Sequence, residues 1–148
     1  DDPDNPGRNG LTYLLPCLES HKPLDFVILW LGTNDLKAQY NRTELDVVLA
    51  LSQLITMIKQ YTKIILVSPP LINESALKPT SYFEGAGEKS KQLAPLFKDL
   101  AEKEGCAFID LAPEVNAGDF DGVHLEPNQH PKVAEAFYQV IQSIDKFA

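Results

Sequence analysis

Two residues that can pass a proton, Asp121 and His124, lie three positions apart in the turn-rich stretch of residues 119–124. Gly122 lies between them, so both side chains can point the same way. A carboxylate beside an imidazole fixes the tautomer of the ring and stabilises the imidazolium, as in the orienting half of a hydrolytic triad. Such a histidine can take a proton from a nucleophile and return it to a leaving group. The spacing also fits a second interpretation, an aspartate that caps a helix beside a surface histidine.

A second polar cluster, Gly32-Thr33-Asn34-Asp35, directly follows an apolar run. The Asn34 carboxamide is a donor that can bind a developing oxyanion, and removing one such donor typically costs about 3 kcal/mol of transition-state stabilisation. Gly32 lets the backbone turn sharply and leaves the asparagine exposed. The open alternative for Asn34 is an Asx-turn that ends the strand. We expect Asp35 to be structural, turning the loop or capping the following segment.

The sequence offers no obvious nucleophile and no metal site. Its serines lie on predicted helices or polar loops, outside the strand–turn–helix context of a nucleophile elbow. Ser68 closes a predicted strand, but Pro69 and Pro70 follow it instead of a tight turn. His130 and the neighbouring acidic residues match no helical metal-binding spacing, so we expect no metal and no cofactor.

Apolar patterning predicts the elements that must position these side chains. Near-continuous apolar runs predict strands at residues 24–31, 63–68 and 106–111, the first of them buried on both faces. Helical spacing predicts helices at residues 11–21, 43–61, 88–104 and 131–147. Alternating strands and helices demand parallel pairing, so we expect an α/β fold, a three-layer α/β/α sandwich with a parallel sheet. Ligands of such sheets bind beyond the carboxyl ends of the strands, where both polar clusters lie.

Some residues carry finer expectations. Thr43 with Asp46 resembles a capping box, and Gly105 stands where a left-handed helix cap is needed. The loop of residues 71–83 is long enough to be functional, either in shaping the ligand pocket or in a subunit contact, and its apolar residues favour the subunit contact. Trp30 should be core. The second predicted helix should bury Leu45, Val48, Leu49, Ile55 and Ile58, and the last helix should bury Val133, Phe137, Val140, Ile141 and Ile144.

Composition excludes several classes of protein. The 148 residues carry a net charge of −8 and 44% hydrophobic residues, which is typical of one globular domain. The acidic balance argues against nucleic-acid and membrane partners, and no apolar run approaches the roughly 18 residues of a membrane span. Cys17 and Cys106 form neither a disulfide framework nor a zinc motif, so we expect buried thiols and a cytoplasmic location.

The two polar clusters together carry a family resemblance. GTND at residues 32–35, followed by DGVH at residues 121–124, resembles two conserved blocks of the SGNH hydrolases, also called the GDSL esterase/lipase family. The stretches HKPLDFVILWLGTNDLKA, VSPPL and DGVHL resemble its bacterial arylesterase and acyltransferase (perhydrolase) branch. The resemblance implies a flavodoxin-like fold, a small ester substrate, and a homo-oligomer. It also implies these roles: Asn34 in the oxyanion hole, Asp121 and His124 as acid and base, and Gly32, Thr33 and Val123 in the substrate-binding site.

The nucleophilic serine block of this family has no match here. The resemblance implies that it lies upstream of residue 1, so we expect residues 1–148 to be the C-terminal portion of one SGNH domain that lacks the first strands. Residues 24–31 would then form an open apolar edge strand. We expect a companion N-terminal polypeptide to cover that edge and to bring the serine. Two alternatives remain open: a carbohydrate O-acetyl esterase of the same family, and a non-catalytic binding module.

Overall fold

The computed structural model of the protein describes residues 7–145. Three strands alternate with helices along the chain, which confirms the predicted α/β class. The strands are β1 (Phe26–Leu29), β2 (Lys63–Ser68) and β3 (Ala107–Asp110). The helices are α1 (Gly10–His21), α2 (Glu44–Ile58), α3 (Ala86–Glu104) and α4 (His130–Asp145), and the predicted end of the last helix at residue 147 lies outside the described residues. Short 3₁₀ turns occupy Thr33–Leu36, Ala38–Tyr40, Glu74–Ala76 and Pro127–Gln129.

The sheet is parallel, with the strand order β1-β2-β3. Alternate residues of the central strand enter two different cores, as the two-residue period of a strand requires. Ile64 and Leu66 pack into a core with apolar residues of α1, α2 and α3. Ile65 and Val67 pack into a second core, against which all five predicted apolar residues of α4 lie. The sheet is therefore the middle layer between helices on both faces, and the predicted sandwich is confirmed.

Local signals in the sequence set several helix ends. The Thr43 side chain accepts a hydrogen bond from the backbone N–H of Asp46, and the Asp46 carboxylate accepts one from the backbone N–H of Thr43. This capping box satisfies donors that the first turn of a helix leaves unpaired. Gly105 ends α3 with φ 65°, the left-handed conformation of a helix cap. Both predictions are confirmed.

The predicted inner stripe of α2 is partly wrong. Leu45 and Leu49 are 65% and 63% exposed. The helix buries Val47, Leu51 and Leu54 in the core instead, together with the correctly predicted Ile55 and Ile58. The physical reason is that α2 carries apolar residues on more than one side, so that two different stripes have helical spacing.

The first strand is shorter and more exposed than predicted. β1 spans Phe26–Leu29, and Leu29 is its one buried residue. Within the described residues β1 has β2 as its sole neighbour, so its other edge is unpaired and its side chains stay partly in solvent. Trp30 is likewise half-buried, with its ring edge-to-face against Phe137 at 5.7 Å.

The cysteines also differ from expectation. Cys17 and Cys106 are both free thiols, and both are half-buried where full burial was predicted. Burial raises the pKa of the Cys106 thiol above its ordinary value. None of the helices between residues 7 and 145 is long and apolar enough to cross a membrane.

Candidate active site

Asp121 and His124 lie on one closed turn after β3, which we call the histidine turn (residues 117–125). An antiparallel bridge between Ala117 and Leu125 closes its base. Inside it, the backbone N–H of Gly118 donates to the His124 carbonyl at 2.7 Å, and the N–H of Gly122 donates to the Gly118 carbonyl at 3.0 Å. The turn is thus built by its own backbone, which fixes where its side chains emerge.

The Asp121 carboxylate organises this turn. Its Oδ1 accepts the backbone N–H groups of Val123 and His124, each at 2.9 Å, and its Oδ2 lies 2.6 Å from Nδ1 of His124. The backbone N–H of His124, then its side chain, then the N–H of Val123 lower the pKa of Asp121 to about 2. The carboxylate is therefore ionised at neutral pH, and Nδ1 of His124 carries the proton that faces it.

His124 presents its other ring nitrogen to solvent. Its side chain is 84% exposed, and Nε2 makes no hydrogen bond to residues 7–145. With Nδ1 protonated against a carboxylate, Nε2 has the free lone pair that a general base needs. The alternative of a helix-capping aspartate does not fit, because Asp121 binds its own turn and the neighbouring imidazole.

The second polar cluster begins at a glycine that no other residue can readily replace. Gly32 has φ 126° and is buried. A Cβ at this position would lie 3.1 Å from the Phe97 ring and 3.3 Å from Val47. The resulting sharp turn leads into the 3₁₀ turn Thr33–Leu36. The backbone therefore turns sharply between the end of β1 and Asn34, as predicted from Gly32.

The Asn34 side chain is exposed and makes no hydrogen bond within the described part of the chain. The Asx-turn alternative is therefore wrong for Asn34. Asp35 has no side-chain hydrogen bond among residues 7–145, so it does not cap the following segment, but its backbone N–H donates to the Gly32 carbonyl at 3.2 Å, which fits the other predicted role of turning the loop. A cavity of about 430 Å³ lies beside Asn34 and is also lined by Gly32, Leu31 and Leu49.

Thr33 and Val123, the other two residues assigned to substrate binding, are both half-buried. Thr33 starts the 3₁₀ turn that carries Asn34, and Val123 packs against the larger core beside the turn that carries His124. Each therefore lies next to one half of the candidate site.

The loop between β2 and α3 joins the two halves of the site. At one end the backbone N–H of Asn73 donates to the Gly122 carbonyl at 2.8 Å. At the other end the N–H of Ala38, just beyond the Asn34 turn, donates to the Tyr82 carbonyl at 2.7 Å. Ile72 and Phe83 of this loop are buried in the core, so they are not free for a subunit contact, whereas Tyr82 is exposed. The length of the loop marked it as functional, but its contacts had no signal in the sequence.

Both clusters lie at the carboxyl edge of the sheet, as predicted, and β2 lies between them. Neighbouring strands are about 4.8 Å apart, which separates the ends of β1 and β3 by roughly 10 Å. No hydrogen bond joins Asn34 to Asp121 or His124 in the described structure, and the cavity beside Asn34 is not lined by His124. The two halves of the candidate site therefore lie at the same edge of the sheet, at the ends of its two outer strands.

No serine of the described chain is hydrogen-bonded to His124. Ser68 is buried, and its hydroxyl faces the Pro69 carbonyl at 3.5 Å. Ser90 is also buried, and its hydroxyl donates to the Gly87 carbonyl. Within residues 7–145, no three His, Cys, Asp or Glu side chains group closely enough to hold a metal ion.

Comparisons with known proteins identify one family and several similar structures. Residues 4–133 match the model of the GDSL-like Lipase/Acylhydrolase family. No curated protein sequence matches the chain. An aryl esterase from M. smegmatis is similar in structure, with TM-score 0.89 and 34% identity over 97% of this chain and 72% of that one. A carbohydrate acetylesterase from Sinorhizobium meliloti has TM-score 0.90 and 29% identity over the same shares. An acetylxylan esterase from Geobacillus stearothermophilus, at 21% identity, shares the fold with TM-score 0.69 over 93% of this chain and 68% of that one.

Proposed function

Because the chain belongs to the GDSL-like lipase/acylhydrolase family, we propose that it is the C-terminal portion of a serine esterase that hydrolyses small acyl esters through an acyl-enzyme. The similarity to an aryl esterase at 34% identity supports this activity. The single observation that carries the proposal is the 2.6 Å contact between Asp121 and Nδ1 of His124, which leaves Nε2 exposed.

His124 acts as the base and Asp121 as its orienting partner. A serine hydroxyl attacks the acyl carbonyl of the ester while its proton passes to Nε2 of His124. Because the pKa of Asp121 is near 2, the carboxylate stays ionised while the imidazolium exists beside it. The tetrahedral intermediate collapses, and His124 returns the proton to the departing alcohol. Water then repeats the sequence and releases the acid.

Asn34 supplies a donor to the oxyanion. Its carboxamide is exposed and engages no other described group, so no internal hydrogen bond has to break when an oxyanion forms. The cavity beside it, lined by Leu31 and Leu49 and also by charged residues such as Arg42 and Asp46, accepts a small acyl group in this proposal. Gly32, Thr33 and Val123 complete the substrate-binding surface in this proposal.

The nucleophilic serine comes from outside this chain, on an N-terminal companion segment that lies along the free edge of β1. The unpaired edge, the half-buried Phe26 and Ile28, and the exposed Leu31 support this location, since an apolar edge strand invites a further strand. The chain also covers only 72% of the aryl esterase that it resembles. We extend the proposal to a homo-oligomer, which light scattering of the purified enzyme tests directly.

A carbohydrate O-acetyl esterase is the second candidate, supported by the similarity to the Sinorhizobium acetylesterase. Alcohols or peroxide would replace water as acyl acceptors in the transferase form of the same mechanism. Initial rates with 4-nitrophenyl acetate and with an acetylated sugar, each with water or added alcohol as acceptor, separate these activities.

A fluorophosphonate probe tests the mechanism. We expect the intact enzyme to be labelled on a serine outside residues 1–148, and His124→Ala to lower the rate of ester hydrolysis by about 10⁴-fold. His130→Ala is the matched control, because His130 is also exposed but has no carboxylate partner in the described chain. Labelling of a serine of this chain refutes the external nucleophile. If the protein is not labelled and does not hydrolyse esters, the result supports the non-catalytic binding module instead.

A further inference from the structure

We propose that Asn73 is a positioning residue that holds the histidine turn, and with it His124, in the orientation that ester hydrolysis requires. The inference rests on the proposed role of His124. Asn73 lies in the loop after β2, and neither its position nor its neighbours mark it in the sequence. Its contacts with the turn carry the argument.

Asn73 binds the histidine turn on both sides of Asp121. Its backbone N–H donates to the Gly122 carbonyl at 2.8 Å, one residue after Asp121. Its side-chain Nδ2 donates to Oδ1 of Asp119 at 3.2 Å, two residues before Asp121. A single residue thus clamps the backbone that carries the carboxylate, from the side of the turn where the β2 loop lies.

The turn is seated on this loop without a gap. A Cβ on Gly122 would collide with the Asn73 carbonyl oxygen and would lie 3.1 Å from the Leu77 side chain. Val123 and Leu125 of the turn also pack against the two cores, and Lys78 lies over the exposed Phe120 ring at 4.2 Å, while the remaining hydrogen bonds of the turn are internal to it. Those internal bonds shape the turn but do not fix its place against the sheet.

The loop that carries Asn73 is itself anchored to α3. The residue before Asn73, Ile72, donates its N–H to the buried hydroxyl of Ser90 at 3.1 Å. The residue after it, Glu74, accepts the N–H of Gly87 at 3.2 Å near the start of the same helix. Asn73 therefore transmits the fixed position of α3 to the histidine turn, which is what a positioning residue must do.

The experiment exchanges the donor and the acceptor of the side-chain contact in the intact esterase. In Asn73→Asp, a carboxylate replaces the donor and faces the Asp119 carboxylate, so the contact becomes repulsive. In the double variant N73D/D119N, the amide introduced at position 119 can donate to the carboxylate introduced at position 73, and the hydrogen bond returns with its direction reversed. Asn116→Asp is the matched control, because it makes the same change at an exposed residue whose side chain has no hydrogen bond among residues 7–145.

We expect N73D to lower kcat for 4-nitrophenyl acetate by about 10- to 100-fold, since a misplacement of about 1 Å costs on this scale. KM should stay within about twofold, the double variant should recover most of kcat, and N116D should match the parent enzyme. Asp119→Ala removes the same contact from the exposed side of the turn, so it should reproduce the loss of kcat if N73D folds poorly.

A second measurement separates this inference from the proposed function. In N73D the Nδ1 proton of His124, seen by NMR, should exchange with solvent faster than in the parent, whether or not the enzyme hydrolyses esters. Unchanged kcat and unchanged proton exchange in N73D overturn the inference, and so does a double variant that remains as slow as N73D. Full activity of His124→Ala instead refutes the proposed function and leaves the exchange result to decide the role of Asn73.

Discussion

Replacing Gly122 with alanine tests how tightly the histidine turn is seated on the β2 loop. Gly122 has φ 75°, and its added Cβ would overlap the Asn73 carbonyl oxygen. Gly85, at the start of α3, offers an unusually close control: its φ is 74°, but nothing lies within 4 Å of a Cβ built there. The two substitutions share the backbone strain and differ in the collision.

The expected magnitudes follow from that difference. A side chain in the left-handed region costs about 1–2 kcal/mol, and this is the whole loss expected in Gly85→Ala. Gly122→Ala adds the displacement of a neighbouring backbone, and overpacking of this kind typically costs a further ~1–3 kcal/mol. We therefore expect Gly122→Ala to be clearly the less stable of the two variants in urea unfolding.

Activity gives an independent check on the same pair. Gly122→Ala should also lower kcat, because the turn must move away from Asn73 and carries His124 with it, whereas Gly85→Ala should hydrolyse 4-nitrophenyl acetate like the parent enzyme. Equal losses of unfolding free energy in the two variants, with kcat unchanged in both, would refute the close seating of the turn.

Three further predictions concern the side chains of Asp121 and Asn34. The Asp121 carboxyl should titrate near pH 2 by NMR. His124→Ala should raise the pKa of Asp121 only part of the way to its ordinary value of about 3.9, because the backbone N–H groups of residues 123 and 124 remain as donors. A complete return to the ordinary value would contradict the role given to these backbone donors. Since the folded pKa is lowered, the stabilisation that Asp121 provides relative to Asp121→Asn should be lost progressively as the pH falls from about 5 toward 2. Asn34→Ala should reduce kcat/KM by about 10²–10³-fold without changing Tm, because the carboxamide stabilises an oxyanion and has no hydrogen bond within the described structure to lose. Asn116→Ala is the control, because Asn116 is also exposed and lies outside both polar clusters, and equal activity of the two variants removes Asn34 from the mechanism.

Much of the fold was predictable, because the central strand and the helix caps depend on burial or on a few adjacent residues, both of which the sequence displays. β2 was predicted at its observed bounds, since a strand with neighbours on both sides and helices on both faces needs a continuous apolar run. The capping box at Thr43 and the cap at Gly105 depend on a few adjacent residues, and both were confirmed. The family resemblance from residues 32–35 and 121–124 was confirmed by the match to the family model.

The wrong or missing predictions concern features that depend on tertiary contacts and not on the local sequence. Nothing within α2 distinguishes the stripe of Leu45 and Leu49 from the stripe of Val47 and Leu51, because both are apolar at helical spacing. The extent of β1 depends on what lies along its free edge, which its own residues do not encode. The clamp between Asn73 and the histidine turn joins residues 46 positions apart in two irregular segments, where no periodic pattern exists to reveal a contact.

The alternation along β2 has a consequence for how the molecule unfolds. Because Ile64 and Leu66 belong to one core while Ile65 and Val67 belong to the other, the two helical layers pack against opposite faces of the same strand. Unfolding of β2 exposes both apolar cores at once, so neither helical layer can unfold independently of the other. Denaturation should therefore be one cooperative step in which the amides of β2 are the slowest in the chain to exchange.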